Sequence, residues 1–283
     1  MSSKVATMRD AVAELVRDGD TVAIEGFTHL ISFAAGHEII RQGRRDLHLV
    51  RMTPDLVYDQ MIGMGCASRL TFSWGGNPGV GSLHRLRDAV EHGWPAPLEL
   101  DEHTHAGMAA AYCAGAARLP FGMLRGYIGT DLVAANPRIR SIECPFTGER
   151  LAAVPAINPD VTILHAQRSD REGNVALQGI VGAQREAALA AASLVVTVEE
   201  IVESFPPAMN SIVLPNWVVS AVAHCPGGAY PAYAQGYYGR DNAFYQRWDG
   251  IARERDGFQA WMRQHVLESR DHAGFLASLG GAT

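Results

Sequence analysis

The sequence predicts an α/β fold: an open, mostly parallel sheet with helices on both faces. Three observations point there. Short, mostly apolar runs such as Thr21-Val-Ala-Ile24 and Leu194-Val-Val-Thr-Val198 recur along the chain. Between them lie stretches whose apolar residues repeat at helical spacing. The runs themselves do not alternate polar with apolar, as befits strands covered on both faces.

The first helix opens at Thr7, with Asp10 three residues on as a capping pattern. Met8, Ala11, Val12, Leu15 and Val16 repeat at helical intervals, and Gly19 ends the run. The strand Thr21–Ile24 follows and runs into Glu25-Gly26-Phe27-Thr28. A helix is expected from about Phe33 to Arg44, then the strand Leu47–Val50, a helix over Asp55–Met64 and the strand Arg69–Phe72. Further helices are expected at Val80–His92, Thr104–Ala117 and Gln184–Ala192, with Val161–Leu164 and Leu194–Val198 as strands. Residues 1–283 read as one domain. Its last third, from about residue 205, is irregular, with Pro206-Pro207, Pro215 and Pro226-Gly-Gly228, and carries an aromatic segment from Tyr237-Tyr238 to Trp248 before a last helix near Phe258–Leu267. Such aromatics anchor cores and interfaces, so this third is a wrap over the domain or a contact with another chain.

Nearly half of the 283 residues are apolar (47%) and 19% are charged, which suits a globular protein with a sizeable core. A net charge of -6 argues against a nucleic-acid surface. The one tight basic cluster, Arg41 to Arg45, falls where a helix should end and reads as a cap. No run of about 20 apolar residues exists to span a bilayer. The N-terminal residues carry charges where a signal peptide is apolar. Four widely spaced cysteines (Cys66, Cys113, Cys144, Cys225) form no metal-ligand spacing and read as reduced thiols, mostly in the core. These features predict a cytoplasmic protein with no bound metal and no membrane or nucleic-acid partner.

Parallel sheets bind ligands at the carboxyl ends of their strands; three segments follow strands here, and a fourth lies at a helix entry. Glu25 follows the first strand; it is either a partly desolvated acid, base or nucleophile, or a structural carboxylate. Gly26, Phe27 and Thr28 continue that loop. Ser73-Trp-Gly-Gly-Asn77 joins a strand to a helix, so Gly75, Gly76 and Asn77 either let a ligand approach the backbone or shape a turn. Asp101-Glu-His-Thr-His105 packs four ionisable groups at a helix entry. Asp101 or Thr104 serves as cap there, while Glu102, His103 and His105 are candidates for binding or proton transfer. His165 to Asn174 is a turn or a polar loop beside the ligand, with Arg168 and Arg171 available to a phosphate.

Taken in order, these segments resemble the family I CoA-transferases, in particular the alpha (A-type) subunits of the glutaconate CoA-transferase kind. The resemblance covers nearly the whole chain. It is carried by Gly19-Asp-Thr-Val-Ala-Ile-Glu-Gly-Phe27, Ser73-Trp-Gly-Gly-Asn77, Leu119-Pro-Phe121 and Cys144-Pro-Phe-Thr-Gly-Glu149. It continues in Val154 to Gln167, Asp170-Arg-Glu-Gly-Asn174, Val198-Glu-Glu-Ile201, Gly227-Gly-Ala-Tyr-Pro231 and Tyr238-Gly-Arg-Asp-Asn242.

The resemblance implies an acyl-CoA thioester as substrate, no permanently bound cofactor, and a beta (B-type) partner subunit. It also implies that a glutamate attacks the thioester, that the resulting anhydride collapses to an enzyme–CoA thioester, and that CoA then passes to a second acid. That glutamate sits in the B-type half, in a Glu-Asn-Gly-like setting that this chain lacks. Three departures stand out. Glu25 replaces the first glycine of a common Gly-Gly-Phe. His29-Leu-Ile-Ser-Phe33 replaces an Arg-Lys pair suited to a substrate carboxylate, which points to a more apolar acyl group. The Asp101–His105 cluster replaces Pro-Gln-Gly, with His105 against the Gln. Related branches cleave a carbon–carbon bond or decarboxylate a CoA ester, so a lyase or hydrolase using Glu102 and His105 as acid and base is the second expectation.

Overall fold

The computed structural model describes residues 3–78, 80–205 and 211–280. The first part of the chain runs β1 (Val5–Ala6), α1 (Met8–Leu15), β2 (Thr21–Ile24), α2 (Phe33–Arg41), β3 (Leu47–Val50), α3 (Leu56–Gly63), β4 (Ala67–Phe72), α4 (His84–His92), β5 (Glu99–Glu102) and α5 (His105–Ala116). Then come β6 (Phe121–Leu124), α6 (Leu132–Ala135), β7 (Arg140–Glu143), β8 (Arg150–Pro155), β9 (Val161–Asp170), β10 (Val175–Gln178), α7 (Gln184–Ala190) and β11 (Ser193–Val202). The chain ends with β12 (Ser211–Leu214), β13 (Ala221–His224), α8 (Asn242–Arg253), α9 (Arg255–Met262), a π-helical turn at Arg263–Leu267, and α10 (His272–Ser278). Pro206, Pro207 and Gly79 lie outside the described residues.

The main sheet has the order β1-β13-β11-β9-β2-β3-β4-β5, parallel throughout, with β10 antiparallel to β9 and β12 antiparallel to β10. From β2 the chain builds outward through β3, β4 and β5. It then returns to the other flank of β2 with β9, pairing Val22 to Val161 and Ile24 to Ile163. The gap between the carboxyl ends of β2 and β9 is therefore the topological switch point, where α/β sheets open a ligand crevice.

Side chains alternate between the two faces of the sheet. Val22, Ile24 and Leu49 face a core shared with α1 to α4. Ala23 and Val50 face Met108 and Tyr112 of α5 and Ala187 of α7. The aromatic last third is a wrap: Phe244, Tyr245, Trp248, Phe258 and Phe275 are buried in the first of these cores. A second, three-stranded antiparallel sheet, β6-β8-β7, lays one side on Ala111 of α5 through Tyr127, Ile139, Ala152 and Val154.

The basic cluster closes the ends of neighbouring helices rather than its own. Arg45 donates to the carbonyls of Met64 and Gly65 after α3 (2.8 and 2.9 Å), and Arg44 to that of Ala13 in α1 (3.2 Å). All four cysteines are free. Cys66 and Cys225 are buried, and burial pushes both thiols up to about 12, whereas Cys113 is exposed and Cys144 half-buried. No described helix is long and apolar enough to cross a membrane. Among the described residues, no group of three or more His, Cys, Asp or Glu side chains could hold a metal ion.

Candidate functional site at the carboxyl edge of the sheet

The carboxyl ends of β2, β3, β4 and β5 are stitched together by hydrogen bonds. Glu25, just past β2, is buried, and its Oε1 accepts from the Met52 N–H (2.9 Å) and the Tyr112 hydroxyl (2.8 Å). Burial raises the Glu25 pKa; the nearby Arg51 charge and the bonds from Met52, Tyr112 and Gly26 oppose it. Burial and the Glu25 charge hold the Tyr112 phenol well above its usual range, so it remains a donor. The Met52 carbonyl in turn accepts from the Ser73 hydroxyl (2.6 Å), and Ser73 Oγ meets His105 Nδ1 at 3.2 Å. Because the Ser73 proton is committed to Met52, its oxygen is the acceptor and His105 is the donor.

This places Glu25 differently from the nucleophile or acid read from sequence. Its carboxylate is enclosed and hydrogen-bonded, and it braces the loop that follows β3. Gly26 is required by close approach. A Cβ there would stand 2.7 Å from the His29 carbonyl and 2.9 Å from that of Leu30. Gly26→Ala is expected to cost about 1–3 kcal/mol from overpacking, read as a lowered urea midpoint. An unchanged midpoint would show that the loop yields freely.

The Asp101–His105 cluster separates into two roles. Asp101 lies in β5 and is no helix cap. It binds Arg69 (3.0 Å), Thr71 (3.0 Å), Asn136 (2.9 Å) and His103 (3.1 Å). Burial would raise its carboxyl, but the bonds from His103, Asn136 and Thr71 outweigh that and hold it well below the usual carboxylate range. A depressed carboxylate stabilises the fold above its ordinary value near 3.8, and that contribution is lost as pH falls below it. Asp101→Asn is therefore expected to lose about 1–3 kcal/mol at neutral pH, with a smaller deficit in acid. Melts at two pH values check this, and a deficit that grows in acid would contradict it.

His103 is buried between Asp101 (3.1 Å) and the Tyr127 hydroxyl (3.3 Å). Thr104 is the cap of α5, accepting from the Gly107 N–H (3.1 Å). Glu102 and His105 are exposed, and the Glu102 carboxylate has no partner among the described residues. These two remain on the carboxyl edge as exposed polar groups, and the same edge carries Phe27 (38% exposed) and half-buried Thr28 after β2 and Trp74 (46%) after β4.

The Ser73–Asn77 turn is mainly architectural. The Asn77 amide donates to the Tyr245 carbonyl (2.8 Å), tying the turn to α8. Gly75 is exposed, while a Cβ at Gly76 would stand 2.6 Å from the Trp74 ring. The stretch His29–Phe33 is buried throughout, so its sequence says nothing about the polarity of the acyl pocket. Arg168 pairs with Glu200 (3.1 Å) on the surface of the extended β9 and β11.

Sequence reasoning missed Arg51. It is buried, with Nη1 on Asp55 (3.0 Å) and Nη2 on the Gly26 carbonyl (2.9 Å). The signal was an arginine directly after an apolar strand, with an aspartate four residues on.

A parallel sheet whose carboxyl edge carries Phe27 after β2, Trp74 after β4, and Glu102 and His105 at and after β5 suits an acyl thioester, and similarity to known proteins fixes the class. The chain belongs to the coenzyme A transferase family: the model of that family, Coenzyme A transferase, matches residues 5–224. Within the family it is of the A type. It is 63% identical over 277 residues to the A-type chain of 3-oxoadipate CoA-transferase of Pseudomonas knackmussii, covering 98% of both chains. Among solved structures it is similar to glutaconate coenzyme A-transferase from Acidaminococcus fermentans, with a TM-score of 0.91 and 30% identity over 98% of this chain and 93% of that one. It is also similar to the decarboxylase AibA/AibB, with a TM-score of 0.81 and 30% identity over 93% and 99%.

Proposed function

We propose that this chain is the alpha (A-type) subunit of a cytoplasmic CoA-transferase that passes coenzyme A from an acyl-CoA thioester to 3-oxoadipate. The observation that carries this reading is 63% identity spread over 98% of both chains. A partner of the B type completes the enzyme. The enclosed, hydrogen-bonded state of Glu25 supports a division of labour in which the attacking glutamate comes from that partner and this chain shapes the crevice. Phe27 and Trp74 supply an apolar wall for the acyl chain, and Glu102 and His105 its polar rim. The expectation of a more apolar acyl group gives way here, because it rested on residues 29–33, which are buried.

The test is reconstitution with a B-type CoA-transferase subunit. The pair is expected to exchange CoA between an acyl-CoA and 3-oxoadipate with ping-pong kinetics, and neither chain to do so alone. Consumption of acyl-CoA at full rate with no second acid present would overturn transfer in favour of a hydrolase or lyase.

A further inference from the structure

The loop between β2 and α2 holds two non-glycine residues in the left-handed region, Thr28 (φ 58°) and Leu30 (φ 53°). Backbone of this kind costs on the order of 1 kcal/mol or more per residue and persists only where its surroundings over-determine it. His29 stands between them and is fully buried. Its Nε2 accepts the N–H of Gln235 (3.0 Å), so its Nδ1 carries the proton and donates to the Ile180 carbonyl (3.1 Å). Its ring lies 4.5 Å from that of Tyr233, and the Leu30 N–H donates to the Tyr233 carbonyl (3.0 Å).

One imidazole thus joins three loops of the carboxyl edge: 26–31, 179–182 and 233–235. The first two carry the exposed apolar side chains Phe27 and Ile180 (38% and 52% exposed), and a Cβ on Gly182 would touch Phe27.

We infer that His29 is a positioning residue for the acyl-CoA crevice: as a neutral clamp it holds the strained loop 26–31 against its two neighbours and so fixes Phe27 against the 179–182 loop. This rests on the CoA-transfer reading of the same edge. Protonation is incompatible with the clamp, because a second ring N–H would face the Gln235 N–H. Burial lowers the His29 pKa, His165 lowers it further, and the bond to Ile180 opposes both. The titratable groups facing His29 among the described residues are His165 on β9, which is paired with Glu199 on β11 (2.6 Å), and the Tyr233 phenol. A histidine whose folded pKa is lowered loses stability as pH falls below its ordinary 6.5. The clamp therefore opens on the acid side.

The test uses the assembled pair carrying His29→Phe or His29→Gln, with kcat and KM for acyl-CoA followed from about pH 5 to about pH 8. His29→Phe keeps the ring contact and loses both hydrogen bonds; KM is expected to rise about tenfold with kcat changed less. His29→Gln can still accept from Gln235. It is expected to recover most of that loss and to flatten the acid-side fall in kcat/KM. A His29→Phe pair with a lowered melting temperature but unchanged KM would overturn the inference, leaving a merely structural residue. So would a His29→Gln pair with the wild-type acid limb, which decides the matter if His29→Phe fails to fold. Absence of CoA exchange in the wild-type pair would count against the transfer reading alone. Acetyl-CoA affinity, measured by calorimetry on the same variants, then replaces KM, with unchanged affinity in His29→Phe overturning the clamp.

Discussion

Arg51→Met is expected to lose about 3–5 kcal/mol of stability at neutral pH, the cost of leaving buried charges without their counter-ion. Arg51 is fully buried and spans three elements: Nη1 holds Asp55 at the start of α3, Nη2 holds the Gly26 carbonyl, and its guanidinium lies 5.5 Å from the Tyr58 ring centre. Methionine fills much of the volume but removes the charge that opposes the rise of both Asp55 and Glu25. Burial is the largest influence on each carboxyl and raises it, so without Arg51 both take up protons more readily. The deficit should therefore shrink as pH falls below neutrality. A melting temperature lower by about 10 °C at pH 7, with a smaller gap near pH 5, is the expected pattern. Adding Asp55→Asn should restore part of the loss, as a double-mutant cycle would show. A single-variant deficit under about 1 kcal/mol would mean that water reaches the pair and that the edge is held by other contacts.

Trp248→Ala is expected to be comparably severe, about 3–5 kcal/mol, for a different reason. The indole is fully buried. It stacks near Phe244 and meets Phe258 and Trp261 edge-on, with ring centres 5.1 to 6.3 Å away. Its Nε1–H donates to Asp59 (3.1 Å), whose carboxyl also accepts the N–H groups of Arg85 and Leu86 at the start of α4. Burial pushes Asp59 up to about 6 despite those donors. Alanine opens a cavity and deprives Asp59 of a donor together. Trp248→Phe separates the two effects, since it keeps most of the packing and removes only the hydrogen bond, at about 1–3 kcal/mol. Urea unfolding of both variants checks the ordering. Equal losses would show that the hydrogen bond carries most of the stabilisation and the cavity little.

The central strands were legible because burial on both faces writes a mostly apolar run, as in β2, β3 and the starts of β9 and β11. The ends of β9 and β11 were not. Beyond Ala166 the sequence turns polar, since β10 covers only an edge there and Arg168 points to solvent. β5 was hidden for the same reason: Glu99-Leu-Asp-Glu102 is an edge strand with one buried side chain, Asp101. The small antiparallel sheet has one exposed side and strands of four to six residues, too short for alternation to show. The helix α8 was within reach, since Phe244, Tyr245, Trp248 and Ala252 recur at helical spacing; the surrounding prolines and glycines obscured it.

At the site, sequence placed Glu25 at a strand end and Glu102 and His105 at the entry to a helix, where they are. It did not separate a carboxylate facing inward from one facing out. Tyr112 and the Met52 N–H lie over the Glu25 carboxylate, whereas that of Glu102 is exposed and has no hydrogen-bond partner among the described residues.

The reversal of strand order at β2 also bears on how the molecule comes to exist. Val22 and its partner Val161 lie in separate halves of the chain, so the seam beneath the crevice closes a loop of well over 100 residues. Contacts of such long range are formed late, because the entropy of loop closure is lost before their gain is realised. β2 through β5 and the helices around them can associate from local contacts, whereas the clamp on His29 waits for Ile180, Tyr233 and Gln235 to arrive from the other half. The crevice is thus a product of completed folding: the edge that carries Phe27, Trp74, Glu102 and His105 can form early, but the seam and clamp that close it cannot.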